Sequence, residues 1–303
     1  VNTTPSIFES VSALPLVMAI AEAVACLSAA AVPSPRVDAE TLAAHVLGTE
    51  RGRIRALLAM NDNETLLPPR FGELVAQRVD RVPLQHLTGV AHFRYLNLLV
   101  GPGVFVPRPE TETVAQLAID AAREAGDATV VDLGTGSGAI AASVAHEVPG
   151  ATVVAVELDE LAHAWAQRNL AGLSVELIHG DLRDALGERN ATFDVVVSNP
   201  PYIPSTAVPQ DPEVANHDPR MALYGGGEDG MELPRATMAT AARLLRSGGY
   251  FVMEHAEVQA HDMVAELEST SLWEDIRSHS DLNDRARATS AVRRVAQTIE
   301  MKD

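Results

Sequence analysis

The chain has 303 residues, enough for two domains and a sizeable core. At 47% hydrophobic and 21% charged it has the composition of a soluble globular protein. No apolar run is long enough to span a bilayer, the longest, Leu14 to Val32, being Ala-rich and interrupted by Glu22. The net charge of −18 weighs against a protein that grips a nucleic-acid backbone, and it favours a partner with a basic surface, whose capture long-range attraction would speed.

Residues 1 to about 12 carry no pattern and are expected to be loose. No basic segment precedes the apolar stretch, so no signal peptide is expected, and the expected location is the cytoplasm. The single cysteine, Cys26, excludes an intrachain disulfide and a Cys-based zinc cage; it lies in the apolar stretch of a predicted helix as a buried thiol. The ten histidines show no HxxxH spacing, and no metal is expected. From Leu14 to about Arg81 the pattern is helical. Pro35 and Asp38-Ala39-Glu40 open a helix with Leu42, Val46 and Leu47 on one face, Arg51 to Leu58 suggests a third, and Pro68-Pro69 precede a fourth with Leu74, Val75 and Val79 as its stripe. Residues 1–82 therefore read as a small helical bundle, expected to recognise a substrate.

Pro83-Leu84-Gln85-His86-Leu87-Thr88-Gly89 interrupts this pattern, and alternation follows at Phe93, Tyr95, Leu96, Leu98 and Val100. With Gly101-Pro102-Gly103 as a turn before Val104-Phe105-Val106, residues 83–106 are expected to be a β-hairpin linker. Arg108-Pro109-Glu110-Thr111-Glu112 suits a helix N-terminus. After Gly126, strands at 129–133, 152–156, 175–178, 193–197 and 250–253 alternate with helices at 139–146 and 160–170. The fifth strand is entered through Gly248-Gly249, and a helix to about Ser269 and weaker strands near 273–279 and 289–296 close the chain. That alternation predicts a Rossmann-like α/β domain over 107–303, with a mostly parallel sheet of seven strands and right-handed crossovers.

Two sheet-edge features carry chemistry. Gly134-Thr135-Gly136-Ser137-Gly138 lets the backbone turn sharply and approach a ligand. Glu157 ends the next strand roughly 20 residues on, placed for ribose hydroxyls, and Asp181 after the third strand is placed for the base of the same nucleoside. With Ala139 the glycines also satisfy the looser dinucleotide pattern, so this spacing alone leaves NAD open. One strand further, Ser198-Asn199-Pro200-Pro201-Tyr202 leaves the sheet as a rigid loop, because two prolines cannot extend a strand. The Asn199 side-chain oxygen and the Pro200 carbonyl are acceptors able to grip the two hydrogens of a planar NH2 group, with the Tyr202 ring against its plane. A nucleoside cofactor beside such a loop is the layout for methyl transfer from S-adenosylmethionine to nitrogen. A dehydrogenase would want a general acid–base, typically His, at that edge, and no good candidate presents itself.

Asp132-Leu133-Gly134-Thr135-Gly136-Ser137-Gly138, Glu157, Gly180-Asp181-Leu182 and Asn199-Pro200-Pro201-Tyr202-Ile203-Pro204 resemble the class I methyltransferases that modify exocyclic or amide nitrogen. The stretches Pro83 to Gly89 and Val106-Pro107-Arg108-Pro109-Glu110-Thr111-Glu112 resemble the bacterial release factor glutamine methyltransferases (HemK/PrmC family), over nearly the whole chain. The resemblance implies N5 methylation of the glutamine in the Gly-Gly-Gln loop of peptide chain release factors 1 and 2 by a monomer, with S-adenosylhomocysteine as coproduct. Asn199, Pro200, Pro201 and Tyr202 would hold the glutamine amide. Gly134, Thr135, Gly136, Ser137, Gly138, Glu157, Asp181 and Leu182, together with Asn199, would hold the cofactor. The chain departs from the family at Ala256, commonly a glycine, and at Asn283-Asp284, usually Ala-Gly.

Three alternatives stand beside this reading. An adenine-N6 methyltransferase also suits the Asn-Pro-Pro-Tyr loop, but it would need a flipped base and a basic track. A glutamine methyltransferase acting on a ribosomal protein departs from the Pro-Arg-Pro-Glu-Thr-Glu stretch. A non-catalytic binding module would have no use for an intact Asn199–Tyr202 loop.

Overall fold

The computed structural model describes residues 14–295, in two compact units. Of the described residues, one unit comprises 14–90 with 209–217 and the other 91–208 with 218–295. The first twelve residues, expected to be loose, lie outside the described residues, as does Ala296 at the end of the last predicted strand.

The first unit is built from helices α1 (Leu16–Ala29), α2 (Pro35–Val46), α3 (Arg51–Ala59), α4 (Arg70–Val79) and α5 (Leu84–Thr88). In α1, Leu16, Ala19, Ile20, Ala23 and Leu27 recur at helical spacing and are buried; in α4, Phe71, Leu74, Val75 and Arg78 do the same. These faces meet Leu42, Ile54 and Leu67 in one core. Cys26 is half-buried on α1, and burial together with Glu22 pushes its thiol up, as suits an inert sulfur. Pro83 to Gly89 is not a plain interruption. It forms the five-residue α5, which Gly89 ends in the left-handed region at φ 77°.

The second unit opens with a hairpin of β1 (Val90–Phe93) and β2 (Leu96–Leu99). Its turn is at Arg94-Tyr95, with Arg94 at φ 52°, and not at Gly101–Gly103 as the sequence suggested; Val104–Val106 forms no strand. The two glycines serve close packing instead: a Cβ on Gly101 would lie 2.6 Å from the Trp165 ring and one on Gly103 2.8 Å from Leu161. In chain order follow α6 (Thr111–Ala125), β3 (Thr129–Leu133), α7 (Ala139–Glu147), β4 (Thr152–Glu157), α8 (Glu160–Asn169), β5 (Val175–His179) and β6 (Phe193–Ser198). The chain then contributes α9 (Pro212–His217) to the first unit. It returns for α10 (Arg220–Leu223), α11 (Glu232–Leu244), β7 (Leu245–Glu254), α12 (Ala260–Glu268), β8 (Trp273–Ser280) and β9 (Ala286–Arg293).

Among the described residues the main sheet has seven strands in the order β5-β4-β3-β6-β7-β9-β8. It is parallel from β5 to β7, with β9 antiparallel to both neighbours. This is the seven-stranded, mostly parallel Rossmann-like sheet anticipated from the alternation. Side chains alternate across it: Val130 packs with α6 and α7 on one face, Val131 and Leu133 with α11 and α12 on the other. Gly248-Gly249 lies inside β7 rather than before it. The register slips there, from Phe193 opposite Leu245 to Val195 opposite Tyr250, because the glycines let the strand bulge. The strand order reverses between β3 and β6, and ligands of open α/β sheets bind beyond the carboxyl ends at such a point. No helix among the described residues is long and apolar enough to cross a membrane.

Candidate active site

The turn after β3 is an open cradle. Gly134, Gly136 and Gly138 all have positive φ, at 74°, 59° and 84°; a Cβ on Gly136 would meet nothing within 4 Å, and one on Gly134 only Leu182, at 3.8 Å. Thr135 and Ser137 are buried beneath it. The Asp132 carboxylate anchors the turn from below, accepting from the Thr135 hydroxyl (2.5 Å) and the Ala141 amide (3.1 Å). Its other oxygen, Oδ1, is buried with no hydrogen-bond partner, and burial pushes the group up to about 7. An orphaned carboxylate oxygen beside a glycine cradle suits a ligand that brings a cation.

Glu157, at the end of β4, reaches the same turn: Gly136 N donates to Oε2 and Asp159 N to Oε1, each at 2.8 Å. Burial raises this carboxyl, and both amides hold it back toward the charged form. Each oxygen keeps a lone pair for a ligand hydroxyl. Asp181 behaves differently. Its carboxylate is taken by Arg183 (2.5 Å from Nη2 to Oδ2), which lowers it, and its backbone turn is tied to β4 by Gly180 N donating to Glu157 O (2.9 Å). Leu182 packs inward, against the position a Gly134 side chain would fill.

The loop after β6 is tied down at Ser198, Asn199, Tyr202 and Ile203. Ser198 donates to Leu133 O (2.6 Å), which ties the ends of the two strands together. The Asn199 Nδ2 donates to the Thr111 hydroxyl oxygen at 3.2 Å, leaving Oδ1 as the outward acceptor. Pro200 is buried, and Tyr202 is half-buried with its hydroxyl 3.4 Å from Glu254 Oε1. Burial and the Glu254 charge push the Tyr202 phenol up, so it stays protonated. Gln259 Nε2 donates to Tyr202 O (2.8 Å) and to Asp229 O (3.0 Å), and Ile203 N to Leu223 O (2.8 Å).

Two glycines, unremarked in the sequence, let a second loop lie against this one backbone to backbone. A Cβ on Gly225 would clash with Gly230 O and stand 2.7 Å from Pro201 O and 2.8 Å from Tyr202 Cα; one on Gly230 would clash with Tyr202 O. Gly225→Ala should cost ~1–3 kcal/mol through overpacking alone, since its backbone lies outside the left-handed region. It should also lower turnover by shifting the Pro200–Tyr202 carbonyls. Urea unfolding and turnover measured side by side check this, and a variant unchanged in both contradicts the packing.

The Pro-Arg-Pro-Glu-Thr-Glu stretch is the bracket for this loop. Val106 is core, and Arg108 donates to the buried Asp218 (2.7 Å) while lying over the Phe105 ring. Thr111 meets Asn199, and Glu112 accepts from Arg94 N (3.0 Å). Thr111, Asp132, Glu254, Gln259 and the two glycines were given no role from the sequence. Thr111 stood in a quoted motif, but only the fold brings it to Asn199, as it brings Glu254 to Tyr202. Of the two departures, Ala256 sits at φ −68°, where no glycine is needed. Asn283-Asp284 makes a turn closed by Asp281, which accepts from Asn283 N and Arg285 N, with Asp284 taking the left-handed position at φ 58°.

Residues 18–89 match the model of the PrmC N-terminal domain, and residues 96–213 that of the methyltransferase small domain. The release factor glutamine methyltransferase of Streptomyces coelicolor is 47% identical over 91% of this chain and 97% of its own length; that of Mycolicibacterium smegmatis is 46% identical over 91% and 96%. The 4-amino-L-phenylalanine/4-methylamino-L-phenylalanine methyltransferase of Streptomyces pristinaespiralis is 38% identical over 89% of this chain and 92% of its own. With identity of that order over about nine-tenths of the chain, and with both domain models matched, the chain belongs to the release factor glutamine methyltransferase family.

Proposed function

We propose that this enzyme transfers a methyl group from S-adenosylmethionine to the side-chain amide nitrogen of the glutamine in the Gly-Gly-Gln loop of release factors 1 and 2. The observation that carries the proposal is the fixed Asn199 carboxamide, one strand from the glycine cradle at the sheet's switch point. The cofactor supplies an electrophilic methyl on a sulfonium. The chain's residues would do the rest: Gly134–Gly138 and Leu182 would form the cradle, Glu157 would hold the ribose, and Asp132 would meet the cationic amino-acid end. Asn199 Oδ1 and the Pro200 carbonyl accept the two amide hydrogens, and Tyr202 confines the plane. An amide lone pair is delocalised into its carbonyl, so acceptors on its hydrogens favour the electron shift that nitrogen attack requires.

In this reading the helical unit recognises the protein substrate, and the enzyme is a monomer with no nucleic-acid partner. Support for a protein substrate comes from the charge of −18 and from the relatives that carry both units. Labelled methyl should pass to purified release factor and to neither DNA nor free 4-aminophenylalanine. Label on either control with none on release factor would overturn the reading.

Glu157→Ala should weaken cofactor binding by about 1.5–3 kcal/mol, since hydrogen bonds from ribose to a charged acceptor are lost. The Gly136 amide loses its partner in the same step. Calorimetric titration checks this; unchanged affinity removes Glu157 from the site.

A further inference from the structure

Pro200 and Pro201 leave the amide-gripping loop with few ties of its own. Proline has no N–H to donate and its ring fixes φ, so rotation about ψ alone decides where the Pro200 carbonyl points. That remaining freedom is controlled from the two ends of the loop. At the near end Ser198 is tied to Leu133 O. At the far end the first carbonyl beyond the prolines, Tyr202 O, is held by Gln259.

Gln259 is 4% exposed and uses its whole carboxamide. Nε2 donates to Tyr202 O at 2.8 Å and to Asp229 O at 3.0 Å, while Oε1 accepts from Ala256 N at 3.1 Å. These partners fix which arm is which. Two carbonyls can only accept and a backbone N–H can only donate, so turning the amide over would lose all three bonds. The partners lie on three segments: the loop after β6, the loop of Gly225 to Gly230, and the turn after β7. The second of these lies backbone to backbone on the first, where a Cβ on Gly230 would clash with Tyr202 O. Asp229 is itself anchored, its carboxylate accepting from Met231 N (3.0 Å) and Arg235 Nη2 (2.8 Å) at the start of α11. We infer that Gln259 is a positioning residue: by holding the Tyr202 carbonyl on the Asp229 segment, it sets the direction of the Pro200 carbonyl and the seat of the Tyr202 ring. The inference rests on the reading of Pro200 and Tyr202 as part of the grip on the substrate amide. It gives a task in the reaction to a side chain that acts only through Tyr202.

The test separates position from stability. Gln259→Glu keeps the size and the acceptor for Ala256 N but, when ionised, sets an oxygen against two carbonyl oxygens. Measured per cofactor-binding site, kcat on release factor should fall ~10–100-fold with cofactor affinity unchanged, the usual effect of a reacting group displaced by about 1 Å. Gln259→Met lacks all three polar groups and should be as slow. The two variants part when the pH is lowered. Burial among carbonyls pushes the new carboxyl above its ordinary value, and below that raised value it carries a proton to donate to Tyr202 O. The ratio of kcat in Gln259→Glu to kcat in Gln259→Met should therefore rise as the pH falls. Taking the ratio cancels titration of the groups both variants share: Glu254, His255 and Glu257 along its own segment, Tyr202 on the loop, the Asp229–Arg235 pair and Arg287. A merely structural role predicts easier unfolding in urea with wild-type kcat per binding site and a flat ratio, and either of those last two results overturns the inference. Should Gln259→Glu fail to fold, Gln259→Met decides, and wild-type kcat per site there overturns it. If Asn199→Ala is itself fully active, the reading of the amide grip has failed; if that variant is slow while Gln259→Glu is not, the positioning role alone has failed.

Discussion

Asn199→Ala should lower turnover on release factor by ~10²–10³ while leaving cofactor affinity largely intact, the usual consequence of deleting one preorganised dipole from a site. The reaction explains why so much rests on one side chain. Alkylating an amide nitrogen makes its remaining protons far more acidic, so no strong base is needed beforehand. The site must instead hold the nitrogen lone pair along the S–CH3 axis and support the positive charge that develops there. Asn199 is suited to this because its position is not its own choice: two prolines fix the exit from β6, Ser198 is tied to Leu133, and Thr111 holds the amide arm. Alanine leaves the prolines and the Ser198 tie in place and removes the acceptor, together with the Nδ2 bond to Thr111. Asn199→Asp keeps an acceptor but adds a charge, and should retain activity that Ala does not. Turnover and calorimetric cofactor affinity, measured on both variants, check the assignment. A near wild-type rate for Asn199→Ala would refute the amide-gripping role.

The sheet was legible because each strand is a short apolar run ended by Gly, Pro or an acid, and that same punctuation marks the site. Gly134–Gly138, Glu157 and Asn199–Tyr202 could be picked out as candidates because each lies at or just beyond the carboxyl end of a strand, where chain direction alone decides what faces a ligand. The partners of these residues were not legible. Thr111 is 88 residues from Asn199, and Glu254 is 52 from Tyr202, and nothing local links them. Gly101-Pro102-Gly103 has the composition of a turn, yet Trp165 and Leu161 on a helix some sixty residues away occupy the space its side chains would need. Gly248-Gly249 read as a strand entry because a bulge and a boundary share one composition. Nothing between Pro204 and Gly248 was assigned, since its contribution to each unit depends on distant partners, Glu213 above all.

Arg78→Met should destabilise the helical unit by about 3–5 kcal/mol, because it strands buried charge. The Arg78 Nε donates to Asp38 and Nη2 to Glu213, each at 2.7 Å, and Nη1 to Val82 O at 3.0 Å; the side chains of Arg78, Asp38 and Glu213 are 6%, 8% and 9% exposed. A guanidinium serves these three acceptors from one rigid planar fork with a single charge. Arg81 also grips Glu213, and these cations hold that carboxyl far below the usual carboxylate range against the burial that opposes them. The three residues come from α4, α2 and α9, so the cluster is also what fastens 209–217 to the unit. Methionine matches the bulk of arginine but leaves Asp38 buried without its partner, and Glu213 with Arg81 alone. Lysine restores charge but not the fork, and should recover only part of the loss. If the cluster were merely a solvated surface pair, Arg78→Met would cost under about 1 kcal/mol. Urea unfolding followed by circular dichroism separates the two outcomes, and cofactor titration of the same variant should remain near wild type, because none of the residues proposed to hold the cofactor belongs to that unit.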